Sequence, residues 1–251
     1  MQIDLNCDMG ESFGVYACGH DAEILRYVTS ANIACGFHAG DPATMRKTVE
    51  MALERGVAIG AHPGLADLVG FGRRAMQITA QEAYDLVLYQ LGALDAVVKA
   101  AGGRMSHVKP HGALYHMGSG NAELATAIAT AVLRFDPSMS LVAASGSELI
   151  RAGAELALKT AREAFADRAY LSSGSLAPRT LSAALITDPE QAADQALRIV
   201  LDNEVGSLEG ADIDIQADTL CVHGDTPNAV AIATAIHERL RAAGVEIKCL
   251  S

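Results

Sequence analysis

Residues 30–64 read SANIACGFHAGDPATMRKTVEMALERGVAIGAHPG, and this stretch decides the architecture. Ser30–Cys35 is a short apolar run of strand character. Asp41 then stands before Pro42, a side-chain cap followed by a residue whose missing N–H costs nothing in the first turn of a helix. Met45, Val49 and Leu53 recur at helical spacing and give that helix one apolar face, and Gly56 marks its end. A second apolar run, Ala58–Pro63, follows at once. Strand, helix and strand in one stretch form a βαβ unit, and that connection makes the two strands parallel.

The alternation extends in both directions. Strands are predicted at Ile3–Asp8, His107–Gly112, Leu141–Ser145, Ala161–Asp167 and Thr219–Gly224, with Val245–Leu250 as a candidate eighth. Thr79 and Glu82 have capping-box spacing ahead of a helix that ends near Gly102–Gly103. Asp188–Pro189 and Thr226–Pro227 repeat the cap-then-proline device. Glu204–Gln216 breaks the rhythm, and Leu208–Glu209–Gly210 suits the turn of a small hairpin there. Several strands read as continuous apolar runs, as strands buried on both faces do. Seven or eight such units in 251 residues fit one α/β domain spanning 1–251, with its parallel sheet rolled into a closed or nearly closed barrel.

Half of the residues are hydrophobic, enough for a sizeable core. The 19 Lys and Arg against 30 Asp and Glu leave a formal charge of −11, which disfavours nucleic acid and anionic membrane as partners but permits an anionic substrate in a locally positive pocket. The five cysteines, 7, 18, 35, 221 and 249, contain no CxxC pair and read as reduced thiols. No signal-peptide pattern and no membrane-length apolar run is present, so a cytoplasmic protein is expected. The sequence leaves homo-oligomer formation open.

Polar residues recur just past the apolar part of each strand: Asn6, Asp8 and Glu11 after the first, Asn32, His38 and Asp41 around the second, then His62, Lys109 and His111, Glu163 and Asp167, and finally His223 and Asp225. In parallel barrels, ligands bind at the carboxyl ends of the strands, so these chain-distant groups should converge. Asp41 is better explained as a helix cap, and His20, His107 and His237 read as structural. Asp8, His38 and His62 could together ligate a divalent metal, although no HExxH pattern supports it. Gly70–Phe71–Gly72–Arg73–Arg74 is either a solvated turn or a fork for a substrate carboxylate or phosphate. GxxxxGK[ST] does not occur.

On DLNCDMGESFG at 4–14, ANIACGFHAGDP at 31–42, GAHPG at 60–64, GFGRR at 70–74, VKPHGALY at 108–115, EAFADRAY at 163–170 and CVHGDTP at 221–227, the chain resembles the LamB/YcsF family along its whole length. It departs at Leu65–Ala66, where members often have Tyr-Pro, and at Ser173, where they often have an acidic residue. The resemblance implies an incomplete (β/α) barrel of seven strands, like that of polysaccharide deacetylases and related glycoside hydrolases. It also implies hydrolysis of the cyclic amide of 5-oxo-L-proline to L-glutamate, with ATP and Mg²⁺ used by a complex with subunits B and C. In that reaction Asp8 would act as base, His38 and His62 would orient water or substrate, and Lys109 would neutralise developing charge. His111, His223 and Asp225 would complete the polar wall. Arg73, Arg74 or Arg179 would hold the substrate carboxylate, with Asn6, Asn32 and Glu163 as further binding groups. The alternatives are a metal-dependent amide hydrolase or deacetylase that needs no ATP, and a non-catalytic binding subunit.

Overall fold

The N-terminal apolar run becomes β1 (Gln2–Met9) in the computed structural model, which describes residues 1–226 and 228–250. In chain order there follow α1 (Asp21–Ile24), β2 (Ser30–Ala34), α2 (Pro42–Glu54), β3 (Ala58–His62), α3 (Ala80–Ala100), β4 (Met105–Val108), α4 (Gly112–Gly120) and α5 (Ala122–Phe135). The second half holds β5 (Ser140–Ala144), α6 (Glu148–Glu155), β6 (Lys159–Phe165), α7 (Pro189–Asp202), the hairpin strands β7 (Glu204–Gly206) and β8 (Asp212–Asp214), β9 (Thr219–Cys221), α8 (Ala229–Ala242) and β10 (Glu246–Ile247).

Seven parallel strands make the barrel, in the order β1-β2-β3-β4-β5-β6-β9. β9 also pairs with β1, through Asp4↔Thr219 to Asn6↔Cys221, so the hydrogen-bonded ring closes where the resemblance implied an incomplete one. β10, the candidate eighth strand, adds in parallel to the first residues of β1 outside the ring. β7 and β8 are the expected antiparallel hairpin.

The helix signals act as their spacing implies. Asp41 accepts from the amides of Ala43 and Thr44, Thr79 and Glu82 form a reciprocal capping box, and Asp188 accepts from Gln191 N ahead of Pro189. The Thr226–Pro227 expectation involves Pro227, outside the described residues; the cap of α8 is Asn228, in the left-handed region at φ +63°. β4 stops at Val108 rather than continuing to Gly112, because Pro110 has no N–H for the ladder, although Lys109 N and His111 N still donate to Ala61 O and Pro63 O. Among the described residues no helix is long and apolar enough to cross a membrane.

The barrel strands are not apolar on both faces. Ile3, Leu5, Cys7 and Met9 point outward into the layer under the helices, while Asp4, Asn6 and Asp8 point into the lumen. There Asp4 accepts from Thr29, Ser30 and Thr219, and Asn6 Nδ2 donates to Thr219 at 2.7 Å. His107 fills the lumen beside Gly60, where a β-carbon would lie 2.1 Å from the imidazole. The barrel thus has a hydrogen-bonded polar interior, and its carboxyl end opens into the site.

Candidate active site

Asp8 ends the inward-facing row of β1. Its Oδ1 accepts from Asn32 Nδ2 and Lys109 Nζ, both at 2.9 Å, and its Oδ2 lies 3.2 Å from His62 Nε2. Burial pushes this carboxyl up, but His62 and Lys109 outweigh it and hold it well below the usual carboxylate range. Lys109, just past β4, also meets Glu163 Oε1 at 2.7 Å, with Asn6 Oδ1 and Cys221 Sγ at 3.2 Å. Burial opposes its charge, yet Asp8, Cys221 and Glu163 raise it well above the ordinary lysine value, so it stays an ammonium. Glu163 Oε2 accepts from Tyr115 at 2.8 Å.

The tautomers of two histidines follow from their partners. His62 Nδ1 lies 2.7 Å from Lys109 O and His111 Nε2 lies 2.8 Å from Phe71 O. A carbonyl only accepts, so both of those nitrogens carry protons. The other two nitrogens, His62 Nε2 and His111 Nδ1, face each other at 3.0 Å. His38 is fully buried and stacks on His111 with ring centroids 3.7 Å apart. Burial and the neighbouring imidazoles push its ring well below the usual histidine value. Burial with Asp8 and Asp225 nearby pushes the Glu11 carboxyl well above its own.

Across the opening, His223 Nδ1 lies 2.8 Å from Asp167 Oδ1, and its backbone N donates to Asp167 Oδ2 at 2.9 Å. Arg73 pairs with Asp225 at 3.1 Å. These groups surround a cavity of about 430 Å³ lined by Asp8, His62, Lys109, His111, His223 and Arg179 among others.

The structure therefore gathers Asp8, His62, Lys109, His111, His223, Asp225, Arg73 and Arg179 around one cavity. Other expected groups sit elsewhere. Asn6, Asn32 and Glu163 do not line the cavity; they lie beneath it, bonded to Asp8 or Lys109, because their strand positions face the lumen below its mouth. His38 lies behind His111. Arg74 turns away to pair with Asp67, whose carboxyl falls to about 2 chiefly through that hydrogen bond. The donors that cluster for a metal are those of Glu11, His38, His62 and His111, and separately those of Asp8, Cys221 and His223, each set within 4.8 Å, rather than Asp8, His38 and His62. Asp8 is drawn instead into the lysine network.

Sequence reasoning does not single out Arg168, since a basic residue inside a loop word carries no spacing signal. It is buried, donates to the carbonyls of Ala177 and Ala184, and lines the cavity beside Arg179. Burial and the neighbouring Arg179 bring its guanidinium down to about 10. His107, expected to be structural, holds Asn32 Oδ1 at 2.8 Å.

A model of the LamB/YcsF family matches residues 3–251. The chain is 58% identical to the 5-oxoprolinase A-subunit of Brevibacillus brevis over 98% of this chain and 96% of that one. It is 55% identical to the protein of the same name from Bacillus subtilis, over 100% and 97%. Among solved structures it is similar to the lactam utilization protein of Thermus thermophilus, with a TM-score of 0.94 and 50% identity over the full length of both. A family 4 carbohydrate esterase from Streptomyces lividans, 13% identical over 100% of this chain and 93% of that one, shares the fold with a TM-score of 0.53.

Proposed function

The chain belongs to the LamB/YcsF family, and from that membership and the cavity's geometry we propose that it is the barrel subunit of an ATP-coupled 5-oxoprolinase. It is a hydrolase that opens the cyclic amide of 5-oxo-L-proline to L-glutamate, working in the cytoplasm with subunits B and C. The observation that carries the reading is Asp8, an ionised carboxylate in a cavity that also presents Arg168 and Arg179 to an anionic substrate.

A resting lactam is a poor electrophile, and its hydrolysis runs uphill without coupling. Phosphorylation of the amide oxygen, using ATP and Mg²⁺ through the partner subunits, activates the ring carbon. Water then adds there as Asp8 accepts its proton. A carboxylate held so far below its usual range is a weak base, which suits attack on an activated carbon and not on an untouched amide. The C–N bond breaks as the nitrogen takes up the protons that water lost, delivered through His223, which Asp167 orients at 2.8 Å. The acyl phosphate that remains is hydrolysed by a second water to glutamate and phosphate. Lys109 fixes Asp8 and offsets negative charge. Arg179 and Arg168, with Arg73 beside them, hold the substrate carboxylate.

Glutamate and phosphate release is the test, with this chain and subunits B and C combined and each omitted in turn. Equal amounts of both products only in the complete mixture with ATP support the proposal. Glutamate formed without ATP would establish the metal-dependent amide hydrolase instead, and full turnover without this chain would make it a binding subunit.

A further inference from the structure

Beside the Asp8–Lys109 network lies a second cluster, two of whose residues hold polar atoms with no hydrogen bond inside the protein. Glu11 Oε1 and both ring nitrogens of His38 are buried without a hydrogen-bond partner. His38 Nε2 and Glu11 Oε1 lie 3.4 Å apart, but not aligned as a hydrogen bond. A buried polar group left unmatched costs roughly 1–3 kcal/mol, so several together in one place call for an occupant.

The imidazoles nearby are prepared in the same sense. His62 and His111 each give one N–H to a backbone carbonyl, of Lys109 and Phe71; His111 Nδ1 turns toward the cluster, and His62 Nε2 sits between His111 Nδ1 at 3.0 Å and Asp8 Oδ2 at 3.2 Å. That is how metal-ligating histidines are held: the outer hydrogen bond fixes the tautomer and aims the lone pair. The spacing agrees. Ligands about 2.0–2.1 Å from a tetrahedral ion lie about 3.3 Å from one another. Here His62 Nε2 to His111 Nδ1 is 3.0 Å, His38 Nε2 to Glu11 Oε1 is 3.4 Å, and His111 Nδ1 to Glu11 Oε1 is 3.7 Å. Small rotations would bring all four donors, now within 4.8 Å, onto one ion.

We propose that Glu11, His38, His62 and His111 bind one first-row divalent cation of the zinc class, adjacent to Asp8 and at the edge of the substrate cavity. Three imidazoles and one carboxylate favour such an ion over calcium or magnesium, which prefer oxygen. The neighbouring set Asp8, Cys221 and His223 is the weaker candidate, because the Lys109 ammonium already lies 2.9 Å from Asp8 and 3.2 Å from Cys221. The same cluster explains two glycines: a β-carbon at Gly64 would lie 2.5 Å from His38 Nδ1, and one at Gly72 2.6 Å from His38 Cβ. Both positions leave His38 the room its placement needs. At this location the ion would act as a Lewis acid toward water or the amide oxygen. The site does not depend on which amide is cleaved.

The experiment uses the purified full-length chain, stripped with a chelator and reloaded with Zn²⁺, and separately with Co²⁺ as a spectroscopic probe. Expected are about one equivalent of zinc after gel filtration, a higher melting temperature on loading, and visible Co²⁺ absorption showing nitrogen ligation. His38→Asn and His111→Asn should each weaken binding at least about a hundredfold, a loss no smaller than outer-shell changes cause. Glu11→Gln serves as a further ligand variant if either fails to fold, as judged by circular dichroism. Asp8→Asn should retain the full equivalent. Absence of stoichiometric metal and of any melting shift overturns the proposal. Loss of metal in Asp8→Asn with retention in the folded ligand variants does so too, and moves the ion to the Asp8–Cys221–His223 set.

Discussion

Asp8 has both oxygens engaged, by Asn32, Lys109 and His62, so its position is set before any substrate arrives. Replacing it by Asn keeps the shape and removes the base. Turnover in the assembled system is expected to fall by about 10²–10⁴-fold, with folding unchanged by circular dichroism. A rate within a few-fold of wild type would remove Asp8 from the chemistry. Asp167 allows a test of pH dependence. Burial pushes its carboxyl up, but His223 outweighs burial and holds it below the ordinary value. A depressed folded value means that its stabilisation is full above the unfolded value of about 3.9 and is lost as pH falls below it. Urea-unfolding free energy should therefore decline below about pH 4, and Asp167→Asn should flatten that decline. Single residues are legible in the sequence where strand-end placement gives a reason, as for Asp8, His62, Lys109 and His223. They are poorly legible where direction matters: Arg73 and Arg74 are sequence neighbours, yet one reaches Asp225 at the cavity and the other turns to Asp67. Glu11 reads only as one of the polar residues past the first strand, because burial without a partner leaves no mark on a sequence.

At the scale of elements, the caps are the most legible features, because each depends on residues within one turn. Asp41, the Thr79–Glu82 box and Asp188 all bond as their spacing implies. Thr79→Ala removes one side of the box and should cost about 1 kcal/mol, read as a lower urea midpoint at unchanged slope. No change in midpoint would show that tertiary packing, not the cap, holds the start of α3. Strand ends are less legible. His107–Gly112 reads as one strand, but Pro110 ends the ladder and Gly112, at φ +50°, starts α4. The apolar runs also conceal an alternation. Asp4, Asn6, Asn32 and His107 face a polar lumen, which a count of hydrophobic residues over a strand does not reveal. That lumen is what lets the strands carry Lys109 with Asp8 and Glu163 at and below the cavity wall, since each of these buried charges has a partner.

For the molecule as a whole, strand–helix alternation points to the barrel, and the order of polar strand ends points to the face on which the cavity opens. Whether the ring closes fully is beyond such reading, since the pairing of β9 with β1 joins strands far apart in the chain and has no local signature. The division of labour among subunits is likewise a property of the whole. The cavity offers an ionised base, an ammonium and arginines to a small anionic amide, and the sequence carries no P-loop. Opening the lactam is uphill, so a chain that only adds water to an activated carbon has nothing to act on when alone. The purified chain with 5-oxoproline, ATP and magnesium is therefore expected to release no glutamate over hours, whether or not zinc is added, while the mixture with subunits B and C releases it steadily. Adding zinc separates two ideas that could otherwise be confused: an unloaded metal site would be cured by the ion, a missing activation step would not. Sustained, matched release of glutamate and phosphate from the chain alone would mean that activation and hydrolysis share this one barrel, and the partners would then need another role.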